Sequence, residues 1–96
     1  MKSYRRIKTV KPTVDILIFL SNQREPVTSQ QISSALGVKY DTIMCYLSSL
    51  EDVRFVRRIG DCFELGQDAA LLWSRRKAKL ESIIAKSTEE LRELEV

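Results

Sequence analysis

The sequence predicts a mainly α fold with one small β-hairpin, closing on a single long C-terminal helix. Three observations carry this. Apolar residues recur at helical spacing through three segments up to Leu50, the period drops to two on either side of Gly60-Asp61, and residues 68–95 contain neither glycine nor proline. The 96 residues, 44% apolar and 30% charged, allow one small domain. A chain of this size buries a modest share of its surface and is often helped by dimerisation.

The first helix is expected over about residues 12–22. Pro12 suits a first turn, where its missing N–H costs nothing. The run Val14-Asp15-Ile16-Leu17-Ile18-Phe19-Leu20 is apolar on nearly every face and should therefore be buried all round. Asn22 to Pro26 reads as a loop. Thr28-Ser29-Gln30-Gln31 has the form of a capping box, a threonine with a glutamine three residues on, and opens a second helix that should bury Ile32, Ala35 and Leu36. Gly37 stops it, since glycine enters the left-handed region at little cost. The third helix runs from Tyr40 to Asp52, with Ile43, Tyr46, Leu47 and Leu50 inward. Two short helices joined through Ala-Leu-Gly-Val form a helix-turn-helix.

After Val53 the alternation of Phe55-Val56-Arg57-Arg58-Ile59 and Cys62-Phe63-Glu64-Leu65 around Gly60-Asp61 is that of a tight hairpin. Its register sets Ile59 against Cys62, Arg58 against Phe63, Arg57 against Glu64 and Val56 against Leu65. Val56, Phe63 and Leu65 face inward, and Arg57 can pair with Glu64 outside. Residues 68–95 form one helix of about 42 Å. A seven-residue frame places Trp73, Leu80, Ser87 and Leu94 at one seam position and Lys77, Ile84 and Leu91 at the other, a pattern that suits a dimerising coiled coil. The alternative is a helix packed on its own domain. The chain thus divides into a basic arm (1–11), a compact unit (12–66) and the long helix (67–96).

Composition excludes several chemistries. There is no histidine, so histidine acid–base catalysis and histidine metal sites are absent, and no glycine-rich phosphate loop exists. Cys45 and Cys62 are isolated and read as free thiols of a reducing compartment. No enzyme, metal site or cofactor is expected. No stretch approaches the ~20 apolar residues of a membrane span, and the basic N-terminus lacks the apolar region of a secretory signal. The chain reads as cytoplasmic. Its net charge of +3 is unevenly spread. Lys2, Arg5, Arg6, Lys8 and Lys11 precede a stretch, Pro12 to Val53, that nets −3, and Arg54, Arg57 and Arg58 follow, then Arg75, Arg76, Lys77 and Lys79. Basic clusters flanking a folded unit suggest a polyanion as partner.

Helix, helix-turn-helix, then hairpin is the winged-helix order. Val14-Asp15-Ile16-Leu17-Ile18-Phe19-Leu20, then Gln31-Ile32-Ser33-Ser34-Ala35-Leu36-Gly37-Val38, Thr42-Ile43 with Leu47 and Leu50, and Phe55-Val56 followed by Phe63-Glu64-Leu65-Gly66 together resemble the DNA-binding domain of the IclR family of bacterial regulators. The resemblance covers about residues 13–66. It implies a winged helix-turn-helix that binds double-stranded DNA through its third helix and wing. Cys45 stands where arginine is frequent in that family, and Arg54 where glycine is common. The chain ends at Val96 without the family's effector-binding domain, so no small-molecule effector is expected.

With Ile43, Leu47 and Leu50 inward, the outward positions of the third helix are Lys39, Tyr40, Asp41, Thr42, Met44, Cys45 and Ser48, the side chains that would meet base edges in a major groove. Ser29 and Gln30 open the second helix, whose amides favour phosphate, although capping alone also explains them. Arg57 and Arg58 in the wing suit phosphate or the minor groove, with a cross-strand ion pair as the other role for Arg57. Arg5 and Arg6 of the arm can track a phosphate backbone. Trp73, with Leu80, Ile84, Leu91 and Leu94, reads as a dimer seam rather than a base-stacking platform. The leading expectation is a homodimeric, sequence-specific transcriptional regulator. The third helix has three acids and no lysine or arginine, which keeps open a protein-interaction or assembly module. A DNA-bridging or replication-accessory protein would share the same chemistry.

Overall fold

The computed structural model describes residues 4–95, so Lys2 of the basic arm lies outside the described residues. Its elements follow in the order α1 (Val10–Ser21), β1 (Val27–Thr28), α2 (Ser29–Leu36), α3 (Tyr40–Asp52), β2 (Val56–Ile59), β3 (Cys62–Leu65) and α4 (Gln67–Leu94). Three short helices and a three-stranded antiparallel sheet of order β1-β3-β2 make the body, from which α4 extends. This is a winged helix-turn-helix with a long C-terminal helix, the fold class expected from the sequence.

The core is small and continuous. Ile16 and Leu20 of α1, Val27 of β1, Ile32 of α2, Ile43, Leu47 and Leu50 of α3, Val56 of β2 and Phe63 of β3 are its buried side chains. The rows in α1 and α3 follow i, i+4 and i, i+4, i+7 spacing, because only one stripe of a surface helix can face a core this thin. For that reason two sequence expectations fail. Val14 and Ile18 of α1 are exposed rather than buried, since nothing in the body lies over that face. Ala35 is also exposed, while Leu36 packs at the core's edge.

The turns follow the expected chemistry. Thr28 accepts from the Gln31 amide while the Gln31 side chain takes the Thr28 N–H at 2.8 Å, a reciprocal cap. Gly37 ends α2 at φ 65°, and Ser33 Oγ donates to the Val38 carbonyl at 2.5 Å, which pins the turn into α3. The hairpin has the predicted register throughout, Val56↔Leu65, Arg57↔Glu64, Arg58↔Phe63 and Ile59↔Cys62. Strand β1 is not foreseen by the sequence: Val27 and Thr28 pair with Phe63 and Cys62, tying the entrance of α2 to the wing.

Where the wing meets α4 the backbone is crowded. Arg54 adopts φ 62°, a left-handed conformation unusual for a residue with a Cβ. Gly66 sits against it, and a Cβ there would fall 2.2 Å from the Arg54 carbonyl oxygen, so no other residue fits. Beyond its first turn α4 leaves the body, and none of its residues is buried. The molecule measures 64 × 46 × 22 Å with a radius of gyration of 19.1 Å, against about 12–13 Å for a compact chain of this length. The long helix does not pack on its own domain. No helix among the described residues is long and apolar enough to cross a membrane.

Candidate nucleic-acid interface

Three elements converge on one groove. The strand–turn–helix of β1 and α2 brings Thr28, Ser29 and Gln30, the first two turns of α3 bring Tyr40 and Met44, and the hairpin brings Arg58, Asp61 and Phe63. Together they line a hollow of about 280 Å³. The pairing of β1 with β3 makes this possible, because it holds the start of α2 beside the hairpin. Thr28 takes the Gln31 amide, leaving those of Ser29 and Gln30 without an intrahelical acceptor, as at every helix start.

The sequence-selected side chains divide by exposure. Lys39, Tyr40, Asp41, Cys45 and Ser48 are exposed along α3, and Thr42 is half-buried. Met44, expected to point outward, is half-buried and packs against the core, so it presents only an edge to the groove. Ser29 is expected to act through the amides of the helix start. It is 8% exposed, so what it offers a ligand at this helix start is backbone rather than hydroxyl. Gln30 is exposed.

The wing arginines have partners within the chain. Arg57 Nη1 lies 3.8 Å from Glu64 Oε1, the cross-strand pair foreseen from register. Arg58 is held differently: its guanidinium lies over the Phe63 ring, 4.9 Å from the centroid, and Nη2 is 3.5 Å from Glu51 Oε1. Glu51 lies on the last turn of α3, a proximity that sequence spacing cannot reveal. Both pairs are solvent-exposed and of the weak kind, about 0.2–1 kcal/mol, so a phosphate can compete for either arginine. A second hollow of about 310 Å³ behind the hairpin is lined by Arg54, Arg57 and Arg58 together with Glu51. Arg54, noted in the sequence as part of a basic cluster, thereby joins the two wing arginines on one surface.

Arg5 and Arg6 are exposed and line a hollow with Ile7, Val10 and Lys11 at the start of α1, which shares no residue with the groove. Lys11 is paired with Asp15 at 2.9 Å. The residues of α4 expected to form a seam are all exposed, from Leu80 at 43% to Leu94 at 83%, with Trp73, Ile84 and Leu91 in between. Cys45 and Cys62 are free thiols. Among the described residues no three potential metal ligands cluster.

No family model and no curated protein matches the sequence. Solved structures do match in shape. HmgR of Pseudomonas aeruginosa is similar with a TM-score of 0.64 and 18% identity, over 69% of this chain and 29% of that one. A MarR-family transcriptional regulator from Rhodococcus sp. RHA1 is similar with a TM-score of 0.58 and 19% identity, over 83% of this chain and 61% of its own. The chain thus spans less than a third of the length of the first and about three fifths of the second. At these identities the likeness concerns the fold, and it does not distinguish the IclR type from other winged helices.

Proposed function

We propose that this chain is a homodimeric DNA-binding protein, a transcriptional regulator whose winged helix is of the IclR type. The observation that carries the proposal is the groove in which the start of α2, the exposed face of α3 and Arg58 of the wing converge. An α-helix entering a major groove needs side chains on one exposed face and phosphate-binding groups to either side of it. Lys39, Tyr40, Asp41, Thr42, Cys45 and Ser48, with the edge of Met44, meet the bases. The amides of Ser29 and Gln30 hold one phosphate run, and Arg57 and Arg58, joined by Arg54, hold the other. Arg5 and Arg6 of the arm extend the interface along the backbone. The exposed apolar residues of α4, Trp73, Leu80, Ile84, Leu91 and Leu94, bring two copies together.

The acids Asp41, Glu51 and Asp52 of α3 favour a second reading, a module that docks a basic protein partner. Fluorescence anisotropy on a labelled duplex across a salt series separates the two. Neutralising Arg57→Gln and Arg58→Gln together should weaken binding on every sequence and lower the salt slope by about one for each phosphate no longer neutralised. An unchanged slope, or no duplex binding even at low salt, contradicts the DNA reading.

A further inference from the structure

The exposed face of α4 carries more information than the presence of a partner; it also encodes the partner's direction. Resting on the dimer proposed above, the geometry points to an antiparallel pairing of α4 with α4 of a second copy, with the two-fold axis passing beside Ser82. Three features of the helix agree on that register. The first is charge polarity. Arg75, Arg76, Lys77 and Lys79 fill the N-terminal half, whereas Glu89, Glu90, Glu93 and Glu95 crowd the C-terminal end with Arg92 alone among them. An antiparallel pair about Ser82 sets residues 75–79 beside 85–89 of the other copy, where Lys86 is the one basic residue, and brings Arg76 next to Glu90.

The second feature is the seam. With the axis at Ser82, Trp73 faces Leu91 of the second copy and Leu80 faces Ile84. Ala70 faces Leu94 at the ends. The two polar seam positions, Lys77 and Ser87, then fall opposite each other, so neither is set against an apolar layer. In a parallel pair Lys77 meets Lys77 inside the seam, a like-charge approach in a partly dry layer. Shifting the antiparallel register by one heptad places Lys77 against Leu94 and leaves Trp73 with nothing opposite, or, in the other direction, places Lys77 against Leu80 and leaves Leu91 beyond the end of the second α4.

The third feature lies on the flanks. Ile83 is 58% exposed and off the seam, which a lone helix does not explain. In this register it meets Ile83 of the second copy across the axis and widens the apolar strip. Beside it Arg76 meets Glu90, twice by symmetry. On the opposite flank Glu81 meets Glu81, and Lys77 at 3.8 Å in the same helix offsets that repulsion. The arrangement sets the two Gln67 residues about 45 Å apart, at opposite ends of a rod. The two winged-helix bodies are thereby held apart rather than side by side.

Charge reversal reads the direction directly. Full-length Arg76→Glu and Glu90→Arg are made separately, and self-association is measured by sedimentation at low salt, where such pairs are least screened. Each single variant should self-associate about tenfold more weakly than the original chain, because two symmetry-related pairs turn from attraction to repulsion. A 1:1 mixture should recover most of the original affinity as a mixed dimer, in which one Arg–Glu pair is kept and the other is kept in reverse. In a parallel pair Arg76 flanks Glu81 and Glu90 flanks Glu95. Glu90→Arg would then tighten self-association and mixing would rescue nothing, which overturns the antiparallel assignment but not the dimer. An original chain that sediments as a monomer at tens of micromolar overturns the dimer itself. Both positions are exposed on a helix that leaves the body, so neither change threatens the fold.

Discussion

Arg54 and Glu51 show how single residues at the rim of the wing divide between strain and charge. Arg54 holds φ 62° so that β2 can begin directly after α3, and Gly66 makes room by lacking a Cβ. The left-handed conformation costs a residue other than glycine about 1–2 kcal/mol. Arg54→Gly should therefore raise the stability to urea denaturation by up to about 1 kcal/mol, part of the gain being offset by the greater freedom of glycine in the unfolded chain. An unchanged midpoint would mean that the arginine side chain compensates through interactions of its own. Glu51 acts through charge. Its pair with Arg58 at 3.5 Å competes with any phosphate for that guanidinium. Glu51→Gln frees the arginine and adds one unit of net positive charge, so duplex affinity in anisotropy titrations should rise by about two- to fivefold. If affinity does not move, Arg58 does not face the DNA.

At the scale of elements, the proposed dimer makes α4 the segment whose stability depends most on a partner. A solitary helix is marginal in water, and this one buries no residue against its own body. Leu80→Asp with Ile84→Asp places two carboxylates in the seam, where they lose hydration without gaining a partner. The expected outcome is a monomer by sedimentation with a loss of helical circular dichroism confined to α4, the body keeping its own cooperative unfolding. A variant that remains dimeric would move the interface elsewhere, to the exposed Val14–Ile18 face of α1 first of all. Much of the secondary structure is legible in the sequence because its causes are local. The bounds of α3 follow from its apolar row, and the hairpin register follows from a two-residue turn around Gly60-Asp61, which fixes every pair beyond it. What is not legible has non-local causes. Two residues, Val27 and Thr28, are too few to show a strand period, and they pair only because Phe63 and Cys62 arrive beside them. The exposure of Val14 and Ile18 depends on how many elements surround α1, which apolar composition does not state. Met44 shifts inward from its expected outward position because it packs against the core, which helical spacing alone does not state.

Across the whole molecule, the two proposed functions are separated in space. The body gathers part of the α3 face, the start of α2 and Arg58 of the wing around one groove, with Arg54 and Arg57 on an adjoining hollow that Arg58 shares. The helix α4 carries its apolar strip out from that body, which is why the radius of gyration reaches 19.1 Å. Whether the α3 face reads DNA sequence, as proposed, is tested most directly at Tyr40, which is 45% exposed in the groove and outside the buried core. The most direct measurement is selection of bound duplexes from a random pool, run in parallel on the original chain and on Tyr40→Ala, with circular dichroism to verify the fold of both. The original chain should enrich a discrete motif, repeated with two-fold symmetry if the dimer places two bodies on one duplex. Tyr40→Ala should relax or change the preference at one or two base pairs, at a cost of about 1–3 kcal/mol there, with the salt dependence nearly unchanged. No enriched motif from the original chain, or the same motif at the same affinity from the folded variant, would contradict the assignment of α3 as the reading helix.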